Sequence, residues 1–486
     1  MNTDDLEVAL YEAERRVLDI QTKLHRWATD APSRRFDDLF NLVCDPAFLL
    51  IAWSRVRSNK GSRSAGVDGL TAAHVEMRHG LEQFLAEVRS DLKSGGFRPM
   101  PVKERMIPKA NGKLRRLGIP TIRDRLVQAA LKLVLEPIFE VDFQPCSYGF
   151  RPNRRAQDAI AEIHLYGTSI YRWVLEADIK ACFDEIDHTA LLGRVRNRIG
   201  DKRVLALVKE FLKSGILSEA QFIRKADTGT PQGGILSPLL ANVALSVLDE
   251  YFDKLWKAAG RSSDARTRFR RNGGSTYRLV RYADDFVVMV AGTKAHAEEI
   301  RDTVAEVLSP MGLRLSEEKT SVVHLDEGFT FLGFRIQRQR QKGSNKWYVY
   351  TWPSGTALRS IMAKVKTLTA GSTNLSLGAL LRQINSVLRG WTAYFRHGVS
   401  SHTFGYLAHY TWWRVRRWIK RKHRKSNWKT LRRRYQNYQK ERWKWADHTE
   451  KVVLYWPPER EIVRYRYRGA CIPTPWTKRA TVSVAR

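Results

Sequence analysis

Cysteine is scarce in this chain of 486 residues, and so are long apolar runs and acidic side chains. The four cysteines, Cys44, Cys146, Cys182 and Cys471, are scattered, with no Cys-x-x-Cys pair and no Cys/His ligand spacing. That argues against a structural zinc site and against a disulfide framework. The longest apolar runs, such as 47–53, are far too short to cross a bilayer, and residues 1–7 are acidic and carry no apolar signal core. No membrane partner is expected, and the cytoplasm is the expected compartment. Acid is the most telling shortage: 84 Lys and Arg against 50 Asp and Glu leave a net charge of +34. Between 328 and 440 there is no Asp or Glu at all, against 24 Lys and Arg. General solubility does not explain that distribution. A polyanionic partner does, with binding that weakens as salt rises.

What is present reads as a globular chain of about two to four domains, 43% apolar and without internal repeats. Leu6, Leu10, Ala13, Val17, Ile20, Leu24 and Trp27 recur near helical spacing, so 4–30 is expected to be an amphipathic helix. Another helical pattern covers 36–58, and a polar turn follows at 60–69. Residues 97–122 read as two strands around Asn111-Gly112, a hairpin signal, and 123–140 return to helix. From 171 to about 345 strands alternate with helices, among them 201–212, 238–257 and 295–311. Three helical patterns then follow at 356–369, 376–396 and 402–424, the last densely basic. From 426 the chain is basic, aromatic and weakly patterned.

Three aspartates stand out within this frame. Asp178 closes an apolar, strand-like run at 171–177, and Asp284-Asp285 sit between two such runs, 277–282 and 286–290. An acidic pair between short apolar strands suits a hairpin whose tip presents carboxylates. Carboxylates at strand ends are hard oxygen ligands for Mg²⁺. Two such ions about 4 Å apart can clamp the attacking and leaving oxygens of an in-line phosphoryl transfer. An Asp-Asp turn alone is more often a solvated turn. Here it is accompanied by Asp178 upstream and by the block Gly229-Thr-Pro-Gln-Gly-Gly-Ile-Leu-Ser-Pro-Leu-Leu-Ala-Asn242 between them.

Those three blocks, in that order, resemble motifs A, B and C of reverse transcriptases, and the match over roughly 50–440 resembles a group II intron reverse transcriptase with its maturase domain. The resemblance implies an α/β (α+β) right-hand polymerase: fingers and palm with antiparallel sheet and helices, and an α-helical thumb. It implies that Asp178, Asp284 and Asp285 hold two Mg²⁺ ions, with Mn²⁺ as a substitute, and that the Ile179 carbonyl is a further ligand. Phe183 stands where the family keeps an aromatic that excludes a ribose 2′-OH; the alternative for Phe183 is core packing. Gln232 and Gly233 would lie against the incoming base pair, and Tyr282 below the primer end. Lys109 and Arg115 match positions that hold the triphosphate, with Lys113 and Arg116 as neighbours of unassigned role. Residues 312–320 resemble motif D, which sets Lys319 near the leaving pyrophosphate, and Leu332-Gly333 resemble the turn that grips the primer.

Residues 389–398 resemble the maturase thumb, where aromatics interleaved with Arg suit RNA. At helical spacing, Trp391, Tyr394 and Phe395 are expected to pack first. On the basic helix, Arg416, Arg417, Lys420 and Arg421 are expected to meet RNA phosphates. The expected layout is a helical N-terminal extension at 1–60, fingers at 61–170, palm at 171–345, thumb at 346–425 and a basic DNA-binding segment at 426–486. The chain shows none of the paired cysteines of the His-Asn-His endonuclease that ends many family members, so second-strand cleavage is not expected. The partners implied are group II intron RNA, an RNA template with a DNA primer, target DNA and deoxynucleotides, in a cytoplasmic, nucleoid-associated protein. Rival readings are a retron, diversity-generating or CRISPR-associated reverse transcriptase, and a splicing-only RNA-binding maturase. The intact aspartates disfavour the splicing-only reading, and the thumb and the 229–242 block disfavour the others.

Overall fold

The computed structural model describes residues 3–78, 80–108, 112, 114–217, 223–224, 229, 233–439, 442–469 and 472–477. The chain divides into two compact units, one of 1–155, 175–322 and 469–486 and the other of 156–174 and 323–468.

The first unit is assembled on helix Ile122–Asp142, which is buried nearly from end to end. Thr121 caps it by accepting from the Asp124 N–H. Helix Thr3–Asp30 packs here through Ala13, Val17 and Leu24, and helix Pro46–Ser58 through Phe48, Leu49, Trp53 and Val56. The pattern expected as one helix over 36–58 is interrupted. Asp45 adopts an extended conformation and its side chain caps Ala47 N, with Pro46 in the first turn. Residues 472–477 return to this unit, where the Trp476 indole donates to Gln21 Oε1 at 3.2 Å.

Strands Val102–Pro108 and Leu114–Ile119 form the antiparallel finger hairpin, in register from Lys103 opposite Ile119 to Pro108 opposite Leu114. A second sheet runs in the order Thr276–Tyr282, Asp285–Ala291, Trp173–Asp178, Ser321–His324. Its strand Asp285–Ala291 is buried from Phe286 onward, which is why it reads as an unbroken apolar run rather than an alternating one. Helix Ser237–Ala258 packs against strand Thr276–Tyr282 and against helix Lys294–Leu308.

The second unit contains a three-stranded sheet, Phe329–Phe331, Phe334–Arg340 and Trp347–Pro353, followed by helices Gly355–Ala370, Leu377–Phe395 and Ser401–Lys422. Ser354 and Ser376 cap the first two helices. Their apolar faces meet in a core of Leu381, Ile384, Leu388, Leu407, Val415 and Trp418. The segment from 426, read from sequence as a separate basic stretch, adds Leu431, Tyr435, Trp445 and Leu454 to that same core. Its pattern is weak because the elements are short: helix Trp428–Tyr435 and strands Gln436–Gln439, Arg442–Asp447 and Val452–Val453. Among the described residues no helix is long and apolar enough to cross a membrane.

Candidate active site

Strand Trp173–Asp178 delivers Asp178 at its last position. Beyond it the chain leaves the sheet against residues 314–316. The Asp178 carbonyl accepts from Ser316 N at 2.8 Å, Ile179 bridges Leu315, and Lys180 N donates to Arg314 O at 2.9 Å. This pairing carries the short turn Glu317–Lys319 to the strand end, where the Lys319 ammonium donates to Asp178 Oδ2.

The hairpin of the same sheet pairs Tyr282 with Asp285, leaving Ala283 and Asp284 as the turn. Ala283 sits at φ 59°, the left-handed region that tight hairpin turns require. Gly149 makes the turn's close fit possible, because a methyl there would overlap the backbone of Ala283. The carboxylates feel one another. Burial raises the Asp284 pKa first and the Asp178 charge adds to it, while Arg115 and Lys319 pull it back. Loss of hydration within the crowded turn, then Asp284 and Asp178, push Asp285 to about 6, although its residue surface remains exposed. Lys319 is held above its ordinary pKa, chiefly by the hydrogen bond to Asp178.

Phe183 follows Ala181, which is also left-handed at φ 44°, and is half-buried. Its ring is 6.4 Å from that of Phe150, itself 49% exposed, so the two form an aromatic edge rather than part of a core. Gly229 N donates to Ile186 O at 2.8 Å, tying the start of motif B behind this edge. Gly233 has φ +113°, and an added Cβ would come within 2.6 Å of Gly118 O, so only glycine lets this segment approach the finger strand. Arg115 is exposed on that strand, opposite Ile107, and Tyr282 is half-buried at the hairpin's end. Lys109 and Gln232 lie outside the described residues, as do Lys113, Thr230 and Pro231.

Within the second unit, Leu332 at φ 48° and Gly333 at φ 79° form the turn between two strands. Tyr394 Oη donates to Leu332 O at 3.0 Å and Ser354 N to Gly333 O at 2.8 Å. The Phe395 ring lies tilted 4.8 Å from that of Phe334 and 4.6 Å from that of Trp391, so these thumb aromatics do pack. The four basic residues of helix Ser401–Lys422 divide. Arg417 and Lys420 are exposed, the latter donating to Ser426 O at 2.8 Å. Arg416 lies 4.5 Å from the Trp413 and Trp428 ring centres. Arg421 donates to Thr369 O at 3.0 Å and Gly371 O at 2.7 Å, at the end of helix Gly355–Ala370.

Residues 107–336 match the family model for reverse transcriptase (RNA-dependent DNA polymerase), and 358–451 match that for the group II intron maturase-specific domain. Protein YkfC of Escherichia coli K12 is 38% identical over 372 residues, covering 72% of this chain and 96% of that protein. The group II intron-encoded protein LtrA of Lactococcus lactis is 33% identical over 379 residues, covering 68% of this chain and 60% of LtrA. The chain belongs to the group II intron reverse transcriptase–maturases. A more distant relative of this reverse transcriptase–maturase is the Arabidopsis thaliana nuclear intron maturase 1, 26% identical over 349 residues, 56% of this chain and 48% of that protein.

The carboxylate oxygens at this site of the reverse transcriptase suit a hard divalent cation. Among the described residues no three acidic, histidine or cysteine side chains close into a ready metal cage. The raised carboxyl pKa values and the ammonium on Asp178 mark a place where a cation relieves repulsion.

Sequence reasoning missed what backs the hairpin: Arg281, Asp249, Asn242, Ser147 and Gly149, the first four almost wholly buried. The available signal was a charged residue inside the strand-like run 277–282, immediately before Tyr282.

Proposed function

We propose that this reverse transcriptase–maturase extends a DNA primer on an RNA template through two Mg²⁺ ions held at Asp178, Asp284 and Asp285, with the Ile179 carbonyl as a further ligand. The observation that carries this reading is the convergence of the three aspartates with the Lys319 ammonium at the ends of adjoining strands. When bound, the ions supply Lewis-acid activation of the primer 3′-oxygen and charge stabilisation on the phosphates. The protein's part is positional. The paired strand ends fix the carboxylates, Arg115 and Lys109 bring positive charge to the triphosphate, and Lys319 leaves Asp178 to meet the pyrophosphate. Phe183, with Phe150 beside it, forms an edge against the 2′ position of the incoming sugar, so deoxynucleotides are the substrates. Gln232 and Gly233 support the new base pair, Tyr282 the primer end, and Leu332-Gly333 the primer strand.

The maturase half, whose residues up to 440 carry no Asp or Glu, would hold group II intron RNA to promote splicing. Target DNA would be met by the basic residues toward the end of the chain, and DNA binding would associate the protein with the nucleoid.

The test is Asp284→Asn, which keeps shape but removes a charge. Primer extension on RNA should fall by about 10³-fold or more while RNA binding persists. Undiminished DNA synthesis by that variant would end the assignment.

A further inference from the structure

Strand Thr276–Tyr282 buries a charge at Arg281, which is wholly enclosed, as is its partner Asp249. A guanidinium has five N–H donors, and in a dry site each requires an acceptor. All five are met. Nε donates to Asp249 Oδ1 at 2.8 Å, and Nη2 to Asp249 Oδ2 at 2.5 Å and Ser147 Oγ at 2.8 Å. Nη1 donates to Asn242 Oδ1 at 3.0 Å and to the Ala283 carbonyl at 3.1 Å.

The last of these contacts matters most, because Ala283 is the left-handed residue directly before Asp284. Asn242 extends the arrangement: its Nδ2 donates to Gly149 O at 2.9 Å, and Gly149 lies against the Ala283 backbone. Residues 146–148 are themselves laced to Arg281, whose N–H donates to Cys146 O at 2.9 Å and whose carbonyl accepts from Tyr148 N at 2.8 Å. Helix Ser237–Ala258, carrying Asn242 and Asp249, is thereby coupled through one guanidinium to the catalytic turn.

We infer that Arg281 is a positioning residue for catalysis: with Asp249, Asn242 and Ser147 it locks the Ala283-Asp284 turn so that the carboxylates are presented ready for metal. A buried ion pair of this kind is a poor stabiliser compared with apolar side chains of the same volume. Its retention is explained by the geometry it imposes on the turn. This inference rests on the two-metal reading proposed above.

The test uses the full chain and two variants. Asp249→Leu/Arg281→Met replaces the ion pair with apolar volume. Asn242→Leu keeps the pair but removes the link to Gly149 and one acceptor of the Arg281 guanidinium. Folding is followed by circular dichroism, RNA binding by titration with intron RNA, and primer extension across a Mg²⁺ series. Both variants should fold and bind RNA as the parent does. Each should need at least about tenfold more Mg²⁺ for half-maximal extension, with a maximal rate lower by up to about 10²-fold. A merely structural role would move the melting temperature and leave the Mg²⁺ midpoint alone. A folded variant with the parent's midpoint and rate overturns the inference, as does failure of both variants to fold. Asp284→Asn, run beside them, separates the two ideas: full activity in that variant sinks the metal reading, whereas its loss with normal network variants sinks only the role of Arg281.

Discussion

The Lys319 ammonium donates to Asp178 Oδ2, so one cation already occupies a carboxylate assigned to Mg²⁺. On the proposed reading the lysine and the metal would compete for Asp178, and the displaced lysine would be available to the pyrophosphate. Lys319→Met should tighten Mg²⁺ binding to the isolated protein severalfold, read as a lower midpoint for Mg²⁺-induced thermal stabilisation. It should also slow extension by about 10²-fold, the usual effect of losing one charge-stabilising donor. A variant unchanged in both measurements would reduce the contact to a surface ion pair.

Asp285 gives the site a pH dependence of definite sign. Its carboxyl is raised from 3.8 to about 6, by burial first and then by Asp284 and Asp178. Without metal, the folded chain takes up this proton near pH 6 and the unfolded chain only near 3.8. The group's contribution to stability is thus fully present below about pH 4 and lost as pH rises through about 6. Bound Mg²⁺ favours the charged form and reverses that trend. Mg²⁺ should raise the melting temperature more at about pH 7.5 than at about pH 5.5, and the Mg²⁺ needed for half-maximal extension should climb as pH falls between them. Equal thermal shifts at the two pH values would show that Asp285 takes no part in binding.

Half-buried Phe183 and exposed Phe150 form an aromatic edge, with ring centres 6.4 Å apart. Phe183 is only half-buried, so Phe183→Ala should lower stability by no more than about 1 kcal/mol. The same change should admit ribonucleotides, raising their incorporation relative to deoxynucleotides by at least about tenfold. Intact sugar discrimination in a destabilised variant would restore the packing role for Phe183.

What was legible in the sequence followed from local rules. The apolar runs around Asp284 and before Asp178 marked strands because both faces of the sheet are covered, and the turn chemistry marked the hairpin. Helices 123–140 and 238–257 were readable from unbroken periodicity, and differ from Ile122–Asp142 and Ser237–Ala258 only at their ends. The network behind the hairpin was not legible. Arg281 meets Ser147, Asn242 and Asp249 across 134, 39 and 32 residues, and nothing local distinguishes a buried arginine from a solvated one. The segment after 425 was obscured for another reason. Its strands are too short for periodicity, and its basic composition masks Leu431, Trp445 and Leu454, which enter the thumb's core.

The basic helix of the thumb yields a prediction that separates residues the sequence could only group. Arg421 donates to Thr369 O and Gly371 O, placing its charge on the unsatisfied carbonyls at the end of helix Gly355–Ala370. Arg417 is exposed, and Lys420, also exposed, donates to the Ser426 carbonyl. Arg421→Gln should therefore lower stability by about 0.5–1.5 kcal/mol, as expected for a lost helix-end contact. Arg417→Gln/Lys420→Gln should leave the melting temperature unchanged but flatten the salt dependence of intron RNA binding. If each residue neutralises one phosphate, the slope of log affinity against log salt should fall by about 1.4–1.8. Binding by the double variant with the parent's slope would show that these two side chains are solvated and that RNA is held elsewhere on the maturase domain.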